Sequence, residues 1–125
     1  MQTLRKNKGD ILIIIVGVLL GVILGLASGV YVPAAYSEYV AVAILASLDS
    51  VFGGVVARMQ HEFKVNIFIS GFFGNTLLAV ALTFIGKLLG IDLYLVALIV
   101  FGTRLFQNFA TIRRESLNKL TNVKK

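Results

Sequence analysis

Asp49, Asn75 and Arg104 are the residues with most to explain, because each interrupts a long apolar stretch. A charge near the centre of a bilayer costs about 2.5–3.5 kcal/mol even on the lenient insertion scale, so such residues hold a structure together or line a path. An acid and a base at one depth can form an ion pair. The Asn75 amide would then satisfy a remaining donor or acceptor, and Gln107 and Asn108, one turn beyond Arg104, would continue the polar face. Two readings of this cluster stand side by side: a buried network that sets helix register, and a polar path or ligand site. Docking of a partner is a third use.

Other chemistry is thinly represented. The single histidine, His61, lies among Arg58, Glu62 and Lys64 and reads as a loop residue. With no cysteine, disulfides, thiolate metal sites and Cys nucleophiles are excluded. No His/Asp/Glu cluster has metal-ligand spacing, no Ser/His pair shares a depth, and no glycine-rich loop precedes a soluble helix. The expectation is a protein that is not an enzyme, with no catalytic residue, metal or cofactor.

The elements that must position the polar cluster follow from composition. Of 125 residues, 58% are apolar and 14% charged, and mean hydropathy is +0.90. Soluble domains carry about 45–50% apolar and about 25% charged residues. A chain this short has too little interior to hide such an excess. Four apolar runs, about 11–32, 37–57, 65–85 and 92–112, each approach the roughly 20 residues a helix needs to cross about 30 Å of hydrocarbon. Helices are the form that satisfies the backbone in lipid, since four strands cannot close a barrel. Pro33 suits a break, Ser37 and Asp92 suit helix N-termini, and Gly86 and Gly90 bracket a short turn. The expected fold is an all-α membrane protein of four transmembrane helices in a single domain over 1–125.

Charge sets the expected threading. Arg5, Lys6, Lys8, Arg58, Lys64, Arg113, Arg114, Lys119, Lys124 and Lys125 flank one side, and Lys87 alone the other. The positive-inside rule puts the crowded side, with both termini, in the cytoplasm. A cleaved signal peptide is the competing reading of residues 1–30, but the apolar stretch exceeds the usual 7–15 residues and a small-x-small cleavage site is not clear. The pI near 9.9 then reflects topology and anionic lipid at the cytoplasmic face, so nucleic acid is not an expected partner. The basic tail 113–125 fits either a short interfacial helix or a solvated end.

Packing surfaces are also visible. Gly17, Gly21, Gly25 and Gly29 recur every fourth residue, placing them on one helical stripe that lets another backbone approach. That neighbour could be a helix of the same chain, a second copy, or a different membrane protein. A second small-residue row runs through Ala46, Ser50 and Gly54, while Gly71 and Ala79 flank Asn75 by one turn on each side.

Several strings carry a family resemblance: Val32-Pro33 with Tyr36-Ser37, Ala46-Ser47-Leu48-Asp49-Ser50 with Gly53-Gly54 and Arg58, Ser70-Gly71-Phe72-Phe73 with Asn75, and Asp92-Leu93-Tyr94-Leu95. The longest joins Phe101-Gly102 to Arg104-Leu105-Phe106-Gln107-Asn108 and ends at Ile112-Arg113-Arg114. Over about residues 11–115 the chain resembles the small basic protein family of Gram-positive bacteria, short multi-pass membrane proteins carrying a domain of unknown function. The resemblance implies no catalytic residues. It does imply an association with cell-division and envelope genes, beside which members tend to be encoded. The functional expectation is a small scaffold or accessory factor in division or envelope assembly at the cytoplasmic membrane. The alternative is an oligomeric transporter or channel using the Asp49, Asn75, Arg104 cluster.

Overall fold

A computed structural model describes the backbone of residues 2–123 and the side chains of residues 9–121. Lys124 and Lys125, and the side chains of Arg5, Lys6 and Lys8, lie outside the described residues. The described chain is helical: α1 (Gln2–Ala27), a 3-10 turn (Ala34–Tyr36), α2 (Ser37–Met59), α3 (Val65–Leu89) and α4 (Tyr94–Val123). All four α-helices are long and apolar enough to cross a membrane. Several of their hydroxyl groups bond within their own helices, as Thr76 to Phe72 O at 2.7 Å and Thr83 to Ala79 O at 2.9 Å show. That arrangement satisfies a polar group where no water is available.

Contacts group the chain into two compact units, Met1–Tyr36 and Ser37–Lys125. In the first unit α1 ends at Ala27, earlier than the expected 32. Ser28 N–H donates to Leu24 O at 2.9 Å, and the Ser28 hydroxyl donates to Gly25 O at 2.7 Å. Gly29 then takes φ +69°, the left-handed conformation that closes a helix at little cost when no Cβ is present. Gly29 therefore belongs to the helix terminus and not to the stripe expected to contain it. Gly17, Gly21 and Gly25 remain on α1, with open space at each Cβ position.

In the second unit α2 is the central helix, packing against both α3 and α4, which touch each other less. The core is Val42, Ala46, Ala79, Ala97 and Phe101, with Leu45, Tyr94 and Leu98 packed against it. Three of its members are alanine because helix association in lipid depends on close backbone approach and not on expelling water. The outward surfaces are large and apolar, Leu77, Leu88 and Ile99 among them.

The turns are tight. Glu62 N–H donates to Ala57 O at 2.8 Å, closing α2, and His61 adopts φ 59° in the exposed turn to α3. At the other end Gly90, φ 68°, closes α3, and Ile91 N–H donates to Gly86 O at 2.9 Å. Asp92 serves the start of α4 through its main chain, accepting from Leu95 N–H at 3.1 Å. Helix α4 then runs unbroken to Val123, so the described part of the basic tail continues the fourth helix and is not a separate one. Its 30 residues span about 45 Å at 1.5 Å per residue, more than the hydrocarbon thickness.

Candidate functional site

Asp49 lies ten residues before the end of α2, and Asn75 and Arg104 ten residues after the starts of α3 and α4. Each is therefore about 15 Å along its helix from that terminus. Helix α2 runs antiparallel to α3 and parallel to α4, and Asp49 is also twelve residues after the start of α2, so the three depths approach one another. Arg104 Nη2 stands 3.4 Å from Asp49 Oδ2, so the expected ion pair is present.

The partners are unequal. The Asp49 side chain is 0% exposed and that of Arg104 is 51% exposed. Asp49 Oδ2 accepts no hydrogen bond, so its pairing with Arg104 is electrostatic without an aligned N–H···O contact. The other carboxylate oxygen, Oδ1, accepts from Asn108 Nδ2 at 3.5 Å, a long contact. Asn108 thus fills the role expected of Asn75. It sits one turn from Arg104 on the same face of α4, and the glycine at position 53 leaves room beside it: a Cβ there would be 3.6 Å from Asn108 Nδ2.

Asn75 is half-buried on α3 and lines a cleft that Asp49 and Arg104 also line. Gln107 is exposed. Its main-chain carbonyl accepts from the Thr111 hydroxyl at 3.0 Å, and its side chain is not among those lining the cleft with Asp49. The reason is angular. Residue 107 falls about 60° short of a full turn from residue 104, whereas 108 overshoots by about 40° to the other side.

The cleft has a volume of about 250 Å³. Besides Asp49, Asn75 and Arg104 it is lined by Ser50, glycines 53, 54 and 71, and a phenylalanine wall, with Glu62 and Lys64 at the α2–α3 turn. Sequence reasoning saw Ser50 and Gly54 as small residues and did not connect them with a cavity. Gly54 permits close approach: a Cβ there would lie 2.9 Å from the Phe68 ring. Phe68 in turn packs between Phe63 and Phe72, with centroid distances of 5.6 and 6.2 Å. Arg58 lies over Phe63 at 5.9 Å from its centroid. Spacing alone offers a signal for this wall, since Phe68 and Phe72 are one helical turn apart.

Among the described residues no group of three His, Cys, Asp or Glu side chains is placed to hold a metal ion. At the far end of the bundle Lys87 pairs with Glu38 at 3.2 Å and lies 5.5 Å from the Tyr39 ring centroid.

Comparison with known proteins adds the family. The family model described as "Protein of unknown function (DUF1290)" matches residues 32–117. A curated "Small basic protein" of Bacillus subtilis (strain 168) is 46% identical over 111 residues, covering 89% of this chain and 92% of that protein. The chain belongs to the small basic protein family. Further members of similar length include uncharacterized proteins of Mycobacterium bovis and Mycobacterium tuberculosis, each 34% identical over 101 residues and covering 79% of this chain and 80% of their own. No solved structure matches the chain. The family match contains Asp49, Asn75, Arg104, Gln107 and Asn108, and begins after the glycines of α1. The cluster thus belongs to the part of the chain that the small basic protein family model describes.

Proposed function

We propose that this chain is a non-enzymatic, multi-pass protein of the cytoplasmic membrane that acts as a small scaffold or accessory factor in division or envelope assembly. Both termini lie in the cytoplasm, where the basic residues of α4 meet anionic lipid. One observation carries the reading: the ionisable groups inside the second unit are spent on each other, Asp49 on Arg104 and Asn108. A fixed internal pair sets helix register and leaves the outward faces for lipid and for other membrane proteins. Among those faces, the stripe Gly17, Gly21 and Gly25 is the contact surface we assign to a partner helix. The division or envelope setting rests on the gene association carried by the family resemblance.

The test is extraction of tagged protein in native lipid or gentle detergent, with intact-complex mass and identification of co-purifying chains. Near-stoichiometric division or envelope proteins support the scaffold. A discrete homo-oligomer without other chains counts against it.

A second reading, an oligomeric transporter or channel, is favoured by the polar cleft of about 250 Å³ beside Asp49. Four helices are few for a monomeric carrier, so this reading requires assembly. Its signature is flux in proteoliposomes that disappears with Asp49→Asn.

A further inference from the structure

Two residues lining the cleft between α2 and α3 each carry a buried polar atom without a hydrogen bond. Asp49 Oδ2 and Ser50 Oγ make no hydrogen bond, and both residues line the cavity. In hydrocarbon an unsatisfied carboxylate oxygen and an unsatisfied hydroxyl are costly, and neither is tolerated without a donor or acceptor close by. Asn75 and Arg104 add an amide and a guanidinium to the same wall. These groups ask for small hydrogen-bonding molecules and fit badly against an acyl chain.

The cleft extends from Glu62 and Lys64, in the α2–α3 turn, along α3 to Asn75. That is about 15 Å from the start of α3. Beyond this level the α2–α3 contact is closed by Ala46 and Ala79, both fully buried. The cleft is therefore bounded by that contact at one end and reaches the turn residues at the other. Its volume of about 250 Å³ has room for about eight waters at roughly 30 Å³ each.

We propose that the α2–α3 cleft is a hydrated binding site, in which Asp49 and Ser50 hold water and other small hydrogen-bond donors entering from the α2–α3 turn to mid-span. The site is distinct from a through-path, and it stands whether the protein scaffolds a complex or assembles into a pore. Asp49 Oδ2 is sealed from the cleft at rest, so water reaches it by a small movement of the lining, and it then supplies the hydrogen bond that Arg104 does not align to give.

The absence of cysteine from the chain makes the test direct. Single substitutions Ser50→Cys, Gly71→Cys and Asn75→Cys line the cleft; Gly74→Cys and Leu77→Cys are exposed on α3 but outside it. Gly71 and Gly74 form the sharpest comparison, since a Cβ at either meets nothing within 4 Å and both variants should fold. Gln60→Cys, exposed beside the turn, supplies the aqueous reference. Full-length variants in lipid vesicles, with both faces accessible, are treated with a membrane-impermeant methanethiosulfonate ammonium reagent. A thiolate forms readily in water and poorly in apolar surroundings, so cleft positions should react at least about tenfold faster than Gly74→Cys and Leu77→Cys. Reaction of Gly71→Cys and Asn75→Cys no faster than those two controls, with Gln60→Cys reacting, would overturn the proposal. Recovery or loss of partner proteins is a separate readout and leaves this result unaffected.

Discussion

Arg104 reaches to 3.4 Å from Asp49, yet the carboxylate is fully buried and the arginine side chain half exposed. The pair is therefore held from one side. Arg104 can redirect its long side chain if the acid is lost, whereas Asp49 has no other surface to turn to.

That asymmetry predicts the order of single-mutant effects. Arg104→Gln strands a buried charge with only the long Asn108 contact and should destabilise by about 3–5 kcal/mol. Asp49→Asn should cost less, because the remaining guanidinium can reorient. The double substitution should cost less than the sum. Thermal unfolding of the four proteins in detergent measures the coupling, and additive losses would reject a functional pair.

Asn108 and Gln107 should separate cleanly despite being neighbours. Removing the Asn108 contact to Asp49 by Asn108→Ala is expected to cost about 0.5–1.5 kcal/mol. Gln107→Ala, at an exposed position, should stay within about 0.5 kcal/mol of the parent. Equal losses in the same unfolding assay would contradict the placement of Gln107 outside the cluster.

Gly86 is predicted to be the least replaceable glycine of the second unit. A Cβ there would lie 2.5 Å from Ile91 O and 3.0 Å from the Leu93 backbone N–H nitrogen, both within the α3–α4 turn. Because the backbone itself must move, Gly86→Ala should destabilise by about 1–3 kcal/mol. Gly74→Ala, where space is open, should be neutral or slightly stabilising through its better helix propensity. Melting temperatures of the two variants decide the point.

On α1 the prediction concerns assembly. Replacing Gly21 and Gly25 by Leu fills the stripe, and it should weaken association with partner chains while leaving the second unit's melting behaviour unchanged. Intact-complex mass and unfolding of the same variant report the two effects. Unchanged assembly would remove the stripe from the contact surface.

Fold class was legible in the sequence because lipid imposes a length and a composition on each span. Residues 37 and 65 begin α2 and α3 as read from capping and charge, with nothing tertiary needed. Similar depth from the starts of α2 and α4, which run parallel, likewise put Asp49 and Arg104 within reach. The ends of α1 and α4 were less legible: Gly29 is compatible with a stripe or a terminus, and the polar 113–123 region carries no signal that forbids helix.

What the tertiary structure alone decided is rotational. Sequence spacing gives the depth of a residue in a span but not the angle at which neighbouring helices present their faces. Packing through Ala46, Ala79 and Ala97 sets those angles, turning Asn108 toward Asp49, leaving Gln107 outside, and placing Asn75 in the wall of a cleft. The same angles leave one oxygen of Asp49 and the hydroxyl of Ser50 without a hydrogen bond, because a helix face rotates rigidly and cannot satisfy every polar group it carries.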